Sequence, residues 1–166
     1  RRGSSDLATA NSTFVTGGYG MFVSTANQTN PVASTANAVL LDTQIDGSSG
    51  VTNNNGLLTF TTAGSWQIMF ELAFTSTAGA NPVISQWLVK NGSNVANTAQ
   101  DFQLLVGANT VQMSTCVFML NNIVNDTVQV YWSSSDTRVS LSYQGTLTTP
   151  ARPASPSAIV FVNRVG

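Results

Sequence analysis

Histidine is absent from this 166-residue chain, and cysteine occurs once. Without an imidazole no Ser-His-Asp or Cys-His arrangement can be assembled, and the usual general base near neutral pH is missing. With Cys116 alone no intramolecular disulfide can form, so cysteine usage is silent on the redox compartment. Charge is scarce as well: Asp, Glu, Lys and Arg make up 8% of the residues, where about a quarter is usual. The six cations, Arg1, Arg2, Lys90, Arg138, Arg152 and Arg164, are scattered, and the net charge is −1. That spread excludes the clustered phosphate contacts of a nucleic-acid surface. No apolar run approaches the roughly 18 residues of a membrane span, and no signal-peptide pattern opens the chain, so membrane insertion is not expected.

What is present is an ordinary apolar fraction, 42%, in a matrix of Ser, Thr, Asn and Gly. A chain of this length folds as one domain and buries about two-thirds of the surface its unfolded form exposes. Residues 1–18 are polar, rich in small side chains and end in Gly17-Gly18, the pattern of an N-terminal arm. The packed domain is expected over 19–166. Strand patterns cover 20–25, 38–45, 57–62, 66–76, 83–90, 101–106, 110–120, 127–134, 138–144 and 157–165, each bounded by Gly, Asn, Asp, Pro or Ser. No helical period intervenes. The spacing predicts an all-β sandwich or barrel, with residues 24–37 and 146–157 as surface loops.

Two kinds of strand can be told apart. In 126–132, Val128, Val130 and Trp132 alternate with Thr127, Gln129 and Tyr131, as in a sheet with one face in the core and one in water. In 66–74, Trp66, Ile68, Phe70, Leu72 and Phe74 share a face, yet the other face still offers Met69 and Ala73. The stretches 111–120 and 159–162 repeat that double apolarity. Strands apolar on both faces need cover on both, and no helix is available to supply it, so the second cover is expected to be another subunit. The residues expected at that interface are Met69, Glu71, Ala73, Met113, Val117, Val160 and Val162.

The pattern Gly56…Thr59-Phe60, Ala63-Gly64-Ser65-Trp66 leading a long strand, Lys90-Asn91-Gly92, and Leu120…Asp126-Thr127-Val128-Gln129-Val130 resembles the jelly-roll superfamily of the complement C1q head and tumour necrosis factor. Trp87-Leu88-Val89-Lys90-Asn91-Gly92, Val130-Tyr131-Trp132-Ser133-Ser134-Ser135-Asp136 and Pro150-Ala151-Arg152-Pro153-Ala154-Ser155-Pro156 are similar to its virus-encoded branch in bacteriophages and large DNA viruses. The resemblance spans 19–166. It departs from the family at Asn125, where Gly is usual, at Trp66, where Tyr is usual, and in the missing aromatic-glycine pair of the last strand. It implies a ten-stranded antiparallel jelly-roll sandwich, assembled as a homotrimer around the inner sheet, that recognises or builds rather than catalyses. The expected function is a non-enzymatic viral structural protein on the virion surface, as capsid decoration, spike or fibre head, contacting other virion proteins. The alternative is a head that binds a host receptor or glycan.

The candidate sites are few. Asp42, Asp46 and Asp126 stand at strand ends and turns, where capping is the expected role. Gly17-Gly18-Tyr19-Gly20 lacks the Lys-Ser/Thr and the helix of a phosphate cradle and is expected to be a flexible lead-in to the first strand. Cys116 shares a strand face with Phe118 and Leu120 and is expected to be a small buried hydrophobe. Glu71 is the exception, a carboxylate in mid-strand between Phe70 and Leu72. It requires either an Arg or hydroxyl neighbour or an axis where three copies are bridged by a cation. No other cofactor is expected.

Overall fold

The computed structural model describes residues 17–105 and 110–166. The arm expected over 1–18 lies outside the described residues except for its two closing glycines. Every strand pairing is antiparallel. In chain order the strands are β1 (Tyr19–Ser24), β2 (Gln28–Thr29), β3 (Asn37–Ala38), β4 (Thr43–Ser49), β5 (Val51–Asn54), β6 (Leu57–Phe60), β7 (Gly64–Ser76) and β8 (Val83–Lys90). They continue with β9 (Ser93–Asn94), β10 (Gln100–Gln103), β11 (Gln112–Asn122), β12 (Thr127–Ser134), β13 (Val139–Leu141), β14 (Leu147–Thr148), β15 (Ala151–Arg152) and β16 (Ala158–Arg164).

Two sheets form the sandwich. The first runs β2-β13-β7-β16-β1-β4, with β11 on the opposite edge of β7; the second runs β10-β8-β12-β6-β5, with β3 added on β12 and β9 on β8. The ten expected strands are the frame of these sheets, and the additions are short.

The core is built by alternation. Along β7, Trp66, Ile68, Phe70, Leu72 and Phe74 have no exposed surface, and they face Leu58, Phe60, Ile84, Leu88, Val128, Val130 and Trp132 of the second sheet in one cluster. Phe60 meets Trp66 edge-on with ring centroids 4.8 Å apart, and Phe74 meets Trp132 likewise at 5.6 Å, so two aromatic pairs join the sheets.

The turns follow from local chemistry. Asn55-Gly56 (φ 50° and 99°) and Asn91-Gly92 (φ 50° and 76°) put two consecutive left-handed residues into two-residue hairpins, the conformation that Asn-Gly favours. At Gly56 a β-carbon would also collide with the Val39 carbonyl. Asn125 adopts the left-handed conformation at φ 72°, which Asn tolerates better than most residues. Gly18 is no mere flexible lead-in: it is buried, its carbonyl accepts the Arg164 N–H at 2.7 Å, and a β-carbon there would strike the Trp66 indole.

One strand falls differently from the sequence pattern. The stretch expected as a single strand at 38–45 is divided, because the chain crosses there from the second sheet to the first. Asn37–Ala38 pairs with β12 and Thr43–Ser49 with β1. The link is held by Val39 N–H to the Val130 carbonyl (2.9 Å) and Leu40 N–H to Gln28 Oε1 (2.8 Å). The loop 146–157 likewise contains the small β14–β15 hairpin.

Candidate assembly face

The side of the first sheet that points away from the core is where the second apolar faces come together. Register fixes the neighbours: Met113 lies beside Ala73, Thr115 beside Glu71, Val117 beside Met69 and Met119 beside Gln67, while Phe161 flanks Met69 from β16 and Met21 flanks Phe161 from β1. Along β11 the outward side chains remain open, with Met113, Val117 and Met119 45%, 49% and 55% exposed. Past the strand end Ile123 and Val124 stay exposed too. Among the described residues β11 has no strand on its far edge. A row of apolar side chains beside a free edge is the surface that natural sheets otherwise guard with charge, and Glu71 is the sole ionisable residue among those facing outward on β7 and β11.

The expected interface residues divide on this geometry. Met69, Glu71, Met113 and Val117 share the outer face. Val160 and Val162 do not: they pair with Phe70 and Ile68, have no exposed surface and belong to the core, so Ile159 and Phe161 are the outward residues of β16. In an Ile-Val-Phe-Val run both faces are apolar, and only the pairing with β7 sets the phase. Ala73 points outward but is 2% exposed. Its carbonyl accepts the Ser142 N–H and its N–H donates to the Ser157 carbonyl, so this chain's own 142–157 segment brackets it. Phe161, Met119 and Met21 were missed, although Met119 follows Val117 by the same alternation that marked Met113.

Glu71 has a hydroxyl neighbour, the Oγ1 of Thr115 at 3.3 Å from Oε2. Among the described residues no three of His, Cys, Asp and Glu come together in one subunit, so a cation at Glu71 would take its remaining carboxylates from other copies.

Three of the other acids, Asp126, Asp42 and Asp136, serve turns and loops. Asp126 accepts Asn91 Nδ2 (2.7 Å) and the Ile123 N–H (2.8 Å), and pairs with Lys90 Nζ at 2.7 Å, which ties the β8–β9 turn to the β11–β12 turn. The Asn91 amide, Lys90 and the Ile123 N–H hold its carboxyl down at about 2. A depressed carboxylate contributes stability that is fully present above its unfolded value, about 3.9, and is lost as pH falls through its folded value. Denaturant midpoints should therefore drop between about pH 4 and pH 2, and Asp126→Asn should flatten part of that slope. An unchanged slope in the variant would remove the carboxylate from the account. Asp42 accepts the Thr25 N–H and hydroxyl, and Asp136 pairs with Arg138. Cys116 is 2% exposed, takes a hydrogen bond from Gln86 Nε2, and has its thiol pushed up by burial, all consistent with a packing role.

No protein-family model matches the sequence, and no curated protein matches it. Solved structures do. Crystal structures of murine APRIL, a TNF-family jelly-roll protein, at pH 8.5, 8.0 and 5.0 superpose with TM-scores of 0.56, 0.56 and 0.55, covering 90% of this chain and 99% of theirs. At 8%, 12% and 7% identity the likeness is one of fold. The chain has a TNF-like jelly-roll fold, an antiparallel all-β sandwich.

Proposed function

We propose that this protein is a non-enzymatic structural module that works as a homotrimer, displayed on a virion surface as capsid decoration, spike or fibre head against other virion proteins. The observation that carries the reading is the outer face of the first sheet, where Met21, Met69, Met113, Val117, Met119 and Phe161 lie together beside an edge of β11 that carries no strand among the described residues. These side chains are half-exposed or partly buried in the single subunit, so each gains at most part of the about 1.5–3 kcal/mol of a full burial, and the threefold repeat adds the contributions. The fold is consistent with a trimer, and the viral assignment rests on the motifs at 87–92, 130–136 and 150–156 alone. Labelling intact particles with gold-tagged antibody to this chain tests it. Gold on the particle surface is the expected outcome; a soluble protein absent from purified particles would refute it. The second reading, a glycan- or receptor-binding head, draws on one separate feature, a neutral cavity beside β2 and β3.

A further inference from the structure

The cavity beside β2 and β3 has a volume of about 510 Å³, within the range of small-molecule sites, and is lined by Asn27, Gln28, Thr29, Pro31, Asn37 and Trp132 together with small apolar residues. No lining residue is charged. The deepest is Trp132, which has no exposed surface. Its indole Nε1 is buried without a hydrogen-bond partner, whereas the other two indoles are satisfied, Trp66 by the Thr62 carbonyl (3.2 Å) and Trp87 by Asn94 Oδ1 (2.9 Å). A buried N–H left unpaired carries the full desolvation penalty.

The walls are fixed in advance. Gln28 Nε2 donates to Ser24 Oγ (3.1 Å) and the Leu40 carbonyl (3.0 Å), while its Oε1 accepts the Leu40 N–H. Asn37 Nδ2 donates to Asn30 Oδ1 (2.8 Å), and Asn27 Oδ1 accepts the Tyr143 N–H (2.7 Å). These bonds orient the amides, and they commit neither the Asn37 side-chain oxygen nor the Asn27 side-chain nitrogen. Pro31, Ala36, Ala38 and Leu40 supply the apolar part of the lining.

We infer that this cavity binds a neutral carbohydrate, a single pyranose unit presented free or at a glycan terminus. The warrant is the match of chemistry: uncharged walls that are part amide, part hydrocarbon suit a ring with apolar C–H faces and a hydroxyl rim, and they offer nothing to a phosphate or carboxylate. The site deepens the recognition reading, and its lining includes none of Met21, Met69, Met113, Val117, Met119 and Phe161 of the proposed assembly face.

Titration of the 15N-labelled chain with glucose, galactose, mannose and N-acetylglucosamine tests the inference, with glucuronate and N-acetylneuraminate as charged controls. One neutral sugar should shift the Trp132 indole resonance and leave those of Trp66 and Trp87 in place. Ala36→Trp, at an exposed lining position, should abolish the shift while the sedimentation behaviour stays that of the parent. A Trp132 resonance unmoved by every neutral sugar, a shift that survives Ala36→Trp, or equal binding of the charged controls would overturn it. Failure of the titration with assembly intact removes the sugar site alone.

Discussion

Val117→Asp is expected to turn the assembled protein into a folded monomer. Val117 is 49% exposed on the outer face of the first sheet, beside Met69 and between Thr115 and Met119, so the free subunit loses almost nothing when the side chain becomes a carboxylate. In a trimer built on that face three carboxylates would be taken out of water together, each unpaired. Removing the compensation of a buried charge costs about 3–5 kcal/mol, and here the cost recurs three times per assembly. Sedimentation should therefore read one copy of 17.4 kDa rather than three, with an unchanged far-UV spectrum and thermal transition of the monomer type. Persistence of a trimer in this variant would place the interface elsewhere. Glu71→Gln in the same runs, with and without chelator, reads the axial cation: a parent trimer loosened by chelator and a variant indifferent to it is the expected pair, and equal behaviour of both leaves Thr115 as the sole partner of Glu71.

The same change two strands away, across β7, should do something different. Val162→Asp places a carboxylate opposite Ile68 in the core, at a position with no exposed surface. The loss is about 3–5 kcal/mol or more, against a total stability of about 5–15 kcal/mol for a domain. This variant should be unfolded or close to it at room temperature and should be recovered in inclusion bodies. A stable, monomeric Val162→Asp protein would mean that Val162 faces a subunit boundary after all, contrary to its pairing. The contrast between two valine-to-aspartate changes separates core from interface without relying on either alone.

How much of this is legible in the sequence depends on how strongly each strand is patterned. β7 and β12 were legible because their core sets, Trp66 to Phe74 and Val128 to Trp132, alternate cleanly with their neighbours. The Asn-Gly turns and the left-handed Asn125 were legible from residue chemistry alone. β16 was not, since Ile159, Val160, Phe161 and Val162 are apolar in both phases and only the pairing of Val160 with Phe70 decides which pair is buried. The division of 38–45 was hidden for a related reason: Val39 and Leu41 keep a strand-like alternation while the backbone changes sheets. Ala73 reads as outward from its position and is outward, yet residues far along the chain, Ser142 and Ser157, enclose it. The cavity was illegible in sequence, because it arises where β2 and β3 approach each other from different sheets and because a tryptophan's unpaired N–H has no sequence signature.

The central claim is that three copies associate through the outer face of the first sheet. Sedimentation equilibrium of the unmodified chain at micromolar concentration, run beside Val117→Asp, addresses it most directly. The account predicts a mass three times 17.4 kDa for the parent and a single 17.4 kDa for the variant. A parent that sediments as a monomer across the concentration range, with Met113, Val117 and Met119 left open to water, would contradict it.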